Sequence, residues 1–441
     1  MGSKTPPSDA LAAWIAGQRW FGSKTRGIVE AAIEDRVPIG PATLHVVRVA
    51  LDDGRAERYA VPLAPPAPGG GPVADALDDA GFCRALLALL GGEGVARGDR
   101  GAVAGTRTRA FPGAVGANAT VRRLGGEQSN TSVTFDRMLI LKHFRRLVAG
   151  VNPEIEITRF LTERTGFRHT PRLAGWLEYR DDDEASALAV AQELVPDAQD
   201  GWRWLLARLA AGDGALAAIR RLGDRTAGLH RALASDATDP AFAPEPIGAG
   251  DVAGWAAAIR VQLAAARDVL GGRAPAELAT DPAGLDVLRG LVRIRHHGDF
   301  HLGQTLRDDA RDDFVLIDFE GEPLRPLAAR RGKHSPLRDV AGMLRSLAYA
   351  AETARAGDRA RDAWLADWER AARAAFVDGY LAAARPAPFL PADDVAFRRA
   401  VAVFELEKAA YEVVYEANNR PGWIDIPLRG VVAAVRTLRA S

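Results

Sequence analysis

Apolar and polar residues alternate with a period of two in several segments of the first 200 residues. The alternation is clear at residues 43–49 and 58–63, recurs within 101–145, and returns at 176–179 and 187–195. Successive side chains of a strand point to opposite faces of a sheet, so this period predicts strands. Residues 1–63 are therefore predicted as strands and turns, and residues 180–184 as the turn of a hairpin.

Helical spacing predominates in the rest of the chain. Helices are predicted at 81–90 and 153–165, and the second of these has Glu154 and Glu156 in its first turn, where acidic residues favour helix formation. From Trp202 onward the pattern is helical except for a loop and strands at 294–319. A β-rich first part followed by a helical second part predicts an α+β, bilobal enzyme.

Composition narrows the class of protein further. The chain has 441 residues, 48% of them hydrophobic, which is enough for two or three subdomains with a sizeable core. Lys+Arg and Asp+Glu number 57 each, so no nucleic-acid or membrane-surface partner is expected. With one cysteine, no 18-residue apolar run and no signal-peptide pattern at the first residues, we expect a cytoplasmic protein without an internal disulfide.

The segment HGDFHLGQ at 297–304 and the segment DFEGE at 318–322 carry the strongest chemical signal. Asp299 lies five residues before Gln304, and Asp318 follows the apolar run 314–317. In phosphoryl transfer one aspartate orients or deprotonates the attacking hydroxyl, while an amide and a second aspartate hold Mg²⁺ on the phosphates of ATP. We therefore predict Asp299 as the catalytic residue, Gln304 and Asp318 as Mg²⁺ ligands, and Glu320 as a ligand of a second metal or of the substrate.

A second constellation is a strand, a small polar loop and a strand that carries a lysine, as in protein-kinase-like folds. Backbone amides and hydroxyls of such a loop can approach phosphates, and Lys142 on the second strand can contact the α- and β-phosphates. Glu156 is the predicted partner of Lys142, with Glu154 as the competing choice. The predicted loop contacts are Gln128, Ser129, Asn130, Thr131 and Ser132.

Two further segments bear on nucleotide binding. Gln192, Glu193 and Val195 end a predicted strand before a helical region, where a bilobal kinase binds adenine through its backbone. Residues 17–25 resemble a P-loop, but Ser23 displaces the lysine of that motif by one position, so no nucleotide role is expected there.

Near the C-terminus, Tyr411 and Tyr415 lie four residues apart and share one helix face. Aromatic rings beside carboxylates and Arg420 can stack on a sugar and hydrogen-bond to it. Taken alone, the residues favour ordinary core packing with a charged outer face.

Several motifs together resemble the bacterial maltokinases, which belong to the aminoglycoside-phosphotransferase-like branch of the protein-kinase-like superfamily. The resemblance extends from residue 14 to about residue 429. The motifs that carry it are RWFGSK at 19–24, EQSNTS at 127–132, FRR at 144–146, Asn152-Pro153, HGDFHLGQ at 297–304, DFEGEP at 318–323, PLRDVA at 336–341 and YEVVYE at 411–416.

The resemblance implies ATP-dependent phosphorylation of maltose at its anomeric hydroxyl, which feeds α-glucan synthesis. It implies an N-terminal cap subdomain at 1–100 that contains 19–24, a kinase N-lobe at 101–196 and a helical C-lobe at 197–441. It carries over Asp299 as the catalytic residue, Gln304 and Asp318 as metal ligands, and Lys142 as the phosphate contact. The substrate candidates are Asp299, His301, Glu320, Tyr411, Tyr415, Glu416 and Arg420.

The acceptor sugar stays open at this point. The catalytic motif recognises phosphate, metal and hydroxyl, and close relatives of the maltokinases phosphorylate other sugars, including glucosamine, on the same scaffold. The alternatives are therefore a glucosamine or other small-sugar kinase and, from a different class, an inactive ATP-binding regulatory protein. The expected cofactors are ATP and Mg²⁺, and the expected assembly is a monomer or homodimer.

Overall fold

The computed structural model describes residues 8–65, 73–113, 118–125, 129–182, 184–323, 325–355 and 361–440. The chain divides into two compact units. The first comprises Met1–Arg164 and Pro171–Pro196, and the second comprises Thr165–Thr170 and Asp197–Ser441. The domain boundaries at residues 100 and 196 stay predictions.

The first unit begins with a helix and an antiparallel sheet. Helix α1 (Ser8–Ala16) is followed by β1 (Ile28–Ile39), β2 (Ala42–Leu51) and β3 (Ala56–Leu63). The prediction of strands and turns throughout 1–63 is wrong for α1, because Leu11 and Ile15 are four residues apart and bury one helical face against the sheet. The strands β1 to β3 confirm the remainder of that prediction.

A larger sheet forms the rest of the first unit. Its elements in chain order are α2 (Ala80–Gly91), β4 (Val95–Arg97), β5 (Ala102–Arg107), β6 (Val121–Arg123), β7 (Asn130–Phe135), β8 (Leu139–Phe144), β9 (Arg146–Leu147), α3 (Pro153–Arg164), β10 (Leu173–Asp181) and β11 (Glu184–Glu193). The strand order is β4-β5-β10-β11-β8-β7-β6, and β9 joins the first sheet beside β3. The predicted helices at α2 and α3 and the hairpin of β10 and β11 are confirmed.

The second unit is mainly helical, as predicted. Its elements are β12 (Gln199–Asp200), α4 (Gly201–Ala210), α5 (Leu216–Leu233), β13 (Glu245–Pro246), α6 (Ala249–Leu270), β14 (Val292–Arg293), β15 (Thr305–Asp308), β16 (Asp313–Leu316), α7 (Leu327–Arg330), α8 (Leu337–Arg355), α9 (Asp362–Ala384), α10 (Asp394–Asn419) and α11 (Asp425–Ala440). Within this unit α10 packs against α6, α8 and α11. The α+β class is therefore confirmed.

Two glycines let α5 and α9 approach each other closely. A Cβ atom added to Gly223 of α5 would lie 2.1 Å from the carbonyl oxygen of Phe376, and one added to Gly379 of α9 would lie 1.9 Å from that of Arg220. Both distances are far below van der Waals contact. The two helices therefore pack backbone against backbone at these positions. Among the described residues, no helix combines the length and apolarity needed to cross a membrane.

Candidate active site

The hairpin of β15 and β16 brings Gln304 and Asp318 together. Gln304 directly precedes β15, and Asp318 lies two residues beyond the end of β16. The Ile317 amide donates to the Gln304 carbonyl (3.0 Å), and Nε2 of Gln304 donates to Oδ2 of Asp318 (3.0 Å). Asp318 adopts φ of 66°, a left-handed conformation that non-glycine residues rarely take and that is often found at functional sites. Strand pairing thus places the two predicted metal ligands side by side.

This pair fits a magnesium ion. Among the described residues there is no group of three or more His, Cys, Asp or Glu side chains arranged to hold a metal. Mg²⁺ does not need such a group, since it is commonly held by one or two protein oxygens together with phosphates and water. A half-turn of the Gln304 amide exchanges its nitrogen for its oxygen, so both side chains can present oxygen to the ion.

The backbone that leads to Asp299 is anchored by Asp339 in the first turn of α8. The carboxylate of Asp339 accepts from the amides of His297 (2.7 Å) and Gly298 (3.0 Å) and from Nε2 of His230 (3.1 Å). Burial alone would raise the pKa of Asp339, but His296 and His230 outweigh it and hold the pKa below its usual range. Asp339 therefore fixes the loop as a buried carboxylate.

The histidines of the motif organise the loop. The ring of His297 packs between Phe300 and Phe319, with centroid distances of 5.0 and 4.9 Å, and Nε2 donates to the carbonyl of Ile317 (2.9 Å). His301 accepts from the Gly303 amide at Nδ1 (3.1 Å), and burial lowers the pKa of its imidazole. His297 thus ties the Asp299 segment to the Asp318 segment, while His301 caps a turn. A substrate contact of His301 stays a prediction.

Asp299 lies in a recess of the second unit, where it contacts Lys408 of α10. Nζ of Lys408 donates to Oδ1 of Asp299 (3.0 Å) and to Oε1 of Glu322 (3.2 Å). The described residues that line the recess are Gln262, Gly298, Asp299, Phe300, Glu322, Arg325, Arg338, Asp339, Gly342, Phe404, Glu407, Lys408 and Tyr411.

The charged side chains of this recess shift one another's pKa values. Burial alone would raise the pKa of Glu322, but Lys408, Arg338 and Arg325 outweigh it and lower the pKa to about 2. Burial alone would lower the pKa of Lys408, but Asp299 and Glu322 outweigh it and raise the pKa above its ordinary value. Lys408 and Glu322 are therefore both ionised at neutral pH.

The four C-terminal substrate candidates separate into two places. Tyr411 lines the recess, with its ring centroid 5.1 Å from Nζ of Lys408. Tyr415 is 43% exposed, and Arg420 stacks on its ring. Glu416 is 1% exposed and accepts from Arg420 (2.7 and 2.9 Å) and from the hydroxyl of Tyr349 (3.1 Å). Tyr415, Glu416 and Arg420 form a cluster at the end of α10 and are not among the described lining residues of the recess.

The remaining acidic substrate candidate, Glu320, lies in the segment after β16. It is half-buried, and its carbonyl oxygen accepts from the guanidinium of Arg330 (3.2 Å). A contact of Glu320 with metal or substrate stays a prediction.

In the first unit, Lys142 on β8 lies between Ser132 of β7 and Val190 of β11 in the strand register. The two glutamates predicted as alternative partners of Lys142 differ in their surroundings. Glu154 is buried and accepts from the side chain of Gln192 (3.1 Å), whereas Glu156 is half-buried. The choice between the two glutamates stays open.

The segment predicted to contact adenine spans the end of β11. The amide of Glu193 donates to the carbonyl of Arg172 (2.9 Å), and that of Leu194 donates to the carbonyl of Met138 (2.8 Å). The side chain of Gln192 is buried against Glu154, and Val195 is half-buried. Adenine binding by Gln192, Glu193 and Val195 stays a prediction.

The predicted phosphate loop divides between surface and core. Gln128 lies outside the described residues, Ser129 is exposed, and Asn130 is half-buried. Ser132 is buried and takes part in the pairing of β7 with β8. Thr131 is buried too, and its hydroxyl accepts from Nη2 (2.8 Å) and Nε (3.0 Å) of Arg145. The hydroxyl of Thr131 is therefore engaged by a buried arginine, and a nucleotide contact of Thr131 stays a prediction.

Arg145 has a side chain that is 0% exposed. Besides Thr131 it pairs with Asp75, and its guanidinium lies 5.0 Å from the ring of Trp20. Trp20 belongs to the RWFGSK motif at 19–24, and Ser23 of the same motif donates to Glu57 (3.1 Å). The motif therefore joins the first sheet to the β7–β8 hairpin through buried side chains.

Comparisons with known proteins agree with this architecture. Residues 14–76 match the model of the maltokinase N-terminal cap domain. A glucosamine kinase of Streptacidiphilus jiangxiensis is 32% identical over 319 residues, covering 68% of this chain and 70% of the relative. A glucosamine kinase of Mycolicibacterium smegmatis is 31% identical over 318 residues, covering 68% and 76%. The chain belongs to the family of maltokinase-like kinases that includes these enzymes.

A solved structure extends the likeness of this maltokinase-like kinase to its full length. The structure of a glucosamine kinase in complex with glucosamine, ADP and inorganic phosphate superposes with a TM-score of 0.69 at 25% identity, covering 98% of this chain and 99% of the other. The predicted kinase-like fold and family are confirmed. The maltokinase-like kinase is an ATP-dependent phosphotransferase with a hydroxyl group as acceptor.

Sequence reasoning missed two residues that shape the site of this kinase. Lys408 is 109 residues from Asp299, and Asp339 is 42 residues from His297. Asp339 lies inside the PLRDVA motif at 336–341, and Lys408 lies three residues before the YEVVYE motif at 411–416. The available signal was a charged residue inside a helical pattern, but the partner of that residue is visible only in three dimensions.

Proposed function

We propose that this protein phosphorylates maltose at the anomeric hydroxyl, with Mg²⁺ and ATP, to give maltose 1-phosphate and ADP. The observation that carries the proposal is the placement of Asp299 in a polar recess, with Oδ1 held by Lys408 and with Tyr411 beside it. Among the described residues, Lys408 donates to Oδ1 of Asp299, which leaves Oδ2 for an acceptor hydroxyl.

In this proposal Asp299 orients the hydroxyl for in-line attack on the γ-phosphate and receives its proton. Gln304 and Asp318 hold Mg²⁺. When bound, the ion neutralises charge that develops on the phosphates. Asp339 acts through the backbone, because it fixes the amides that precede Asp299.

The nucleotide is assigned to residues of the first unit. Lys142 contacts the α- and β-phosphates and is held by Glu156 or Glu154. Ser129, Asn130 and Ser132, with Gln128, supply further contacts from the loop before β7. Gln192, Glu193 and Val195 bind the adenine. The product, a sugar 1-phosphate, would serve a reaction that builds an α-glucan.

Two observations support maltose as the acceptor. The cap-domain model that matches residues 14–76 is that of maltokinases. Tyr411 lines the recess, and an aromatic ring is a suitable stacking surface for a sugar. The second candidate is glucosamine, which is favoured by the names of the relatives that are 32% and 31% identical.

A panel of sugars tested for ADP release separates the candidates. The purified protein is incubated with Mg²⁺, ATP and one sugar at a time, including maltose, glucose, glucosamine and trehalose. We expect the highest kcat/KM for maltose, with the phosphate located at the anomeric carbon by ³¹P NMR. Release of ADP with glucosamine but not with maltose would establish the second candidate. ADP release with none of these sugars would favour an inactive ATP-binding regulatory protein.

A further inference from the structure

The carboxylates around Asp299 are already paired with cations of the chain. Nζ of Lys408 contacts both Asp299 (3.0 Å) and Glu322 (3.2 Å). Glu407 accepts from Nε (3.0 Å) and Nη2 (2.9 Å) of Arg338, and Arg325 contacts Glu322 and Glu407. Among the described residues of the recess, each of these acidic side chains therefore has a positive partner.

Helix α10 repeats the same arrangement along its length. Each of its glutamates pairs with an arginine of the second unit, and Lys408 is the cation that α10 itself directs to Asp299. The pairs are Glu405 with Arg373, Glu407 with Arg338, Glu412 with Arg345 and Glu416 with Arg420. No glutamate of α10 is left to receive a positive group of a ligand.

This pairing bears on the class of acceptor. Glucose and glucosamine differ at one position, where a hydroxyl is replaced by an ammonium group. An ammonium group has donors only, so it needs unpaired acceptors and is repelled by a neighbouring cation. A hydroxyl both donates and accepts. It can therefore accept from the third N–H of Lys408 and donate to a carboxylate oxygen of Glu322 without displacing the lysine.

We propose that Lys408, paired with Glu322 and Asp299, is the specificity-determining residue that makes this site select uncharged sugars over amino sugars. The ε-ammonium group occupies the position between two carboxylates that would otherwise attract the ammonium of an amino sugar. This inference rests on the proposed sugar-kinase function and deepens it, since it fixes the charge of the acceptor.

Lys408 is well held for this role. It lies in the middle of α10, between the buried side chains of Leu406 and Ala409, and its ammonium group lies 5.1 Å from the ring centroid of Tyr411. The raised pKa of the amine keeps it charged at neutral pH, so an uncharged lysine does not open the site to cations.

The test compares glucose with glucosamine, a matched pair, and adds maltose. Dissociation constants are measured by isothermal titration calorimetry with the full-length protein, at a slightly acidic pH that protonates glucosamine, and kcat/KM is measured for each sugar. The variants are Lys408→Met, Lys408→Arg, the double variant Lys408→Met with Glu322→Gln, and Lys24→Met as an exposed lysine control. Urea unfolding verifies that each variant is folded.

For the wild type we expect both neutral sugars to bind at least about tenfold more tightly than glucosamine, which corresponds to about 1.4 kcal/mol. Lys408→Met should reverse or erase the preference of glucose over glucosamine, while Lys408→Arg and Lys24→Met should retain it. The double variant should lose the increase in glucosamine affinity seen in Lys408→Met, because Glu322 is the carboxylate that the removal of Lys408 makes available.

Two results would overturn the inference. One is wild-type protein that binds glucosamine more tightly than glucose. The other is a folded Lys408→Met variant with an unchanged ratio of the dissociation constants for glucose and glucosamine. Both are distinguishable from failure of the proposed function. If no sugar is phosphorylated, the kinase proposal fails, while the ratio of binding constants still tests the role of Lys408. If glucosamine is the preferred acceptor, kinase activity stands and this inference falls.

Discussion

The ion pair of Asp299 and Lys408 gives the candidate catalytic carboxylate both a charge partner and a fixed orientation. The lysine contact at Oδ1 restricts rotation of the carboxylate. Lys408 also contacts Glu322, so removing Asp299 leaves the lysine with one carboxylate partner.

Replacement of Asp299 tests its assignment directly. Asp299→Asn keeps the shape of the side chain but removes the proton acceptor, so we expect kcat to fall by roughly 10²–10⁴-fold. ADP binding, measured by calorimetry, should be unchanged, because the nucleotide is assigned to the first unit. Asp268→Asn, on the exposed face of α6, is the matched control. Near-normal turnover of Asp299→Asn would contradict the assignment.

Glu322 makes stability depend on pH in a defined direction. Its pKa is lowered from 4.5 to about 2 in the folded protein, so the folded state favours the ionised form. The stabilisation is complete above the unfolded pKa and is lost as the pH falls from about 4.5 toward 2. At about 1.4 kcal/mol per pKa unit, its size is roughly 3 kcal/mol.

Urea unfolding of wild type and Glu322→Gln, from neutral pH down to about pH 3, measures this effect. We expect Glu322→Gln to be less stable at neutral pH and the gap between the two proteins to narrow as the pH falls below 4.5. A gap that is constant over this range would mean that Glu322 titrates alike in the folded and unfolded states.

At this scale, the residues that could be predicted are those whose chemistry is local. Gln304 and Asp318 are 14 residues apart and are joined by one hairpin, so their spacing already indicates a shared site. Lys408 and Asp339 reach the loop from distant helices, and no spacing rule connects them to it. Thr131 belongs to a motif that was interpreted as a polar loop, but it lies on β7. Only the position of Arg145 shows that the hydroxyl of Thr131 is directed to the core.

Among the elements, α5 and α9 supply the side chains that hold Asp339, the residue that fixes the loop before Asp299. The Nε2–H of His230 on α5 donates to Asp339, which leaves Nδ1 to accept from the hydroxyl of Tyr380 on α9 (2.9 Å). Gly379 immediately precedes Tyr380 and lies against the backbone of Arg220. Close packing of the two helices thus positions a hydrogen-bond chain that ends at the backbone before Asp299.

Gly379→Ala tests this link. The added methyl group would lie 1.9 Å from a carbonyl oxygen, so the helices must separate, and overpacking of this kind costs about 1–3 kcal/mol or more. We expect a lower urea midpoint and a lower kcat with little change in ADP affinity. Gly254→Ala, at an exposed position of α6 with open space around it, should instead stabilise the helix by about 0.5–1 kcal/mol. Equal stability of the two variants would exclude the proposed close contact.

Elements were predictable where one periodicity extended over many residues. The helix α3 and the hairpin of β10 and β11 match their predictions because their patterns are long and their ends are marked by a proline and an acidic turn. Residues 17–25 follow an apparent helix in the sequence, but the assignment of 1–63 to strands and turns leaves α1 out because it is short and precedes three strands. Its two buried residues, Leu11 and Ile15, are too few to outweigh the strand pattern that follows.

At the scale of the whole chain, the buried Arg145 connects segments that are far apart in sequence. It joins Asp75 and Trp20 of the cap-domain match to Thr131 on β7, and all of these residues belong to the first unit. A fully buried guanidinium is tolerated only with such partners, since an unpaired buried charge is strongly destabilising.

Arg145→Met should therefore leave the buried carboxylate of Asp75 with its longer ion pair to Arg123 (3.7 Å) and lower the free energy of unfolding by about 3–5 kcal/mol. Adding Asp75→Asn should recover part of the loss. The neighbouring Arg146 is 57% exposed and pairs with Glu57 at 3.1 Å. Glu57 is buried but keeps its hydrogen bonds from Ser23 and Tyr59, so Arg146→Met should cost less than Arg145→Met. Urea unfolding measures all three, and similar losses for Arg145→Met and Arg146→Met would contradict this account.

The same arginine limits how this protein can be recombined with its relatives. If residues 14–76 alone are exchanged, Arg145 remains that of the recipient, while its partners Trp20 and Asp75 are replaced by residues of the donor. An incoming segment is therefore compatible with this protein only where it supplies an acidic partner and an aromatic ring to Arg145. Otherwise a viable exchange must transfer Trp20, Asp75, Thr131 and Arg145 together, and the junction must lie beyond the strand that carries Lys142.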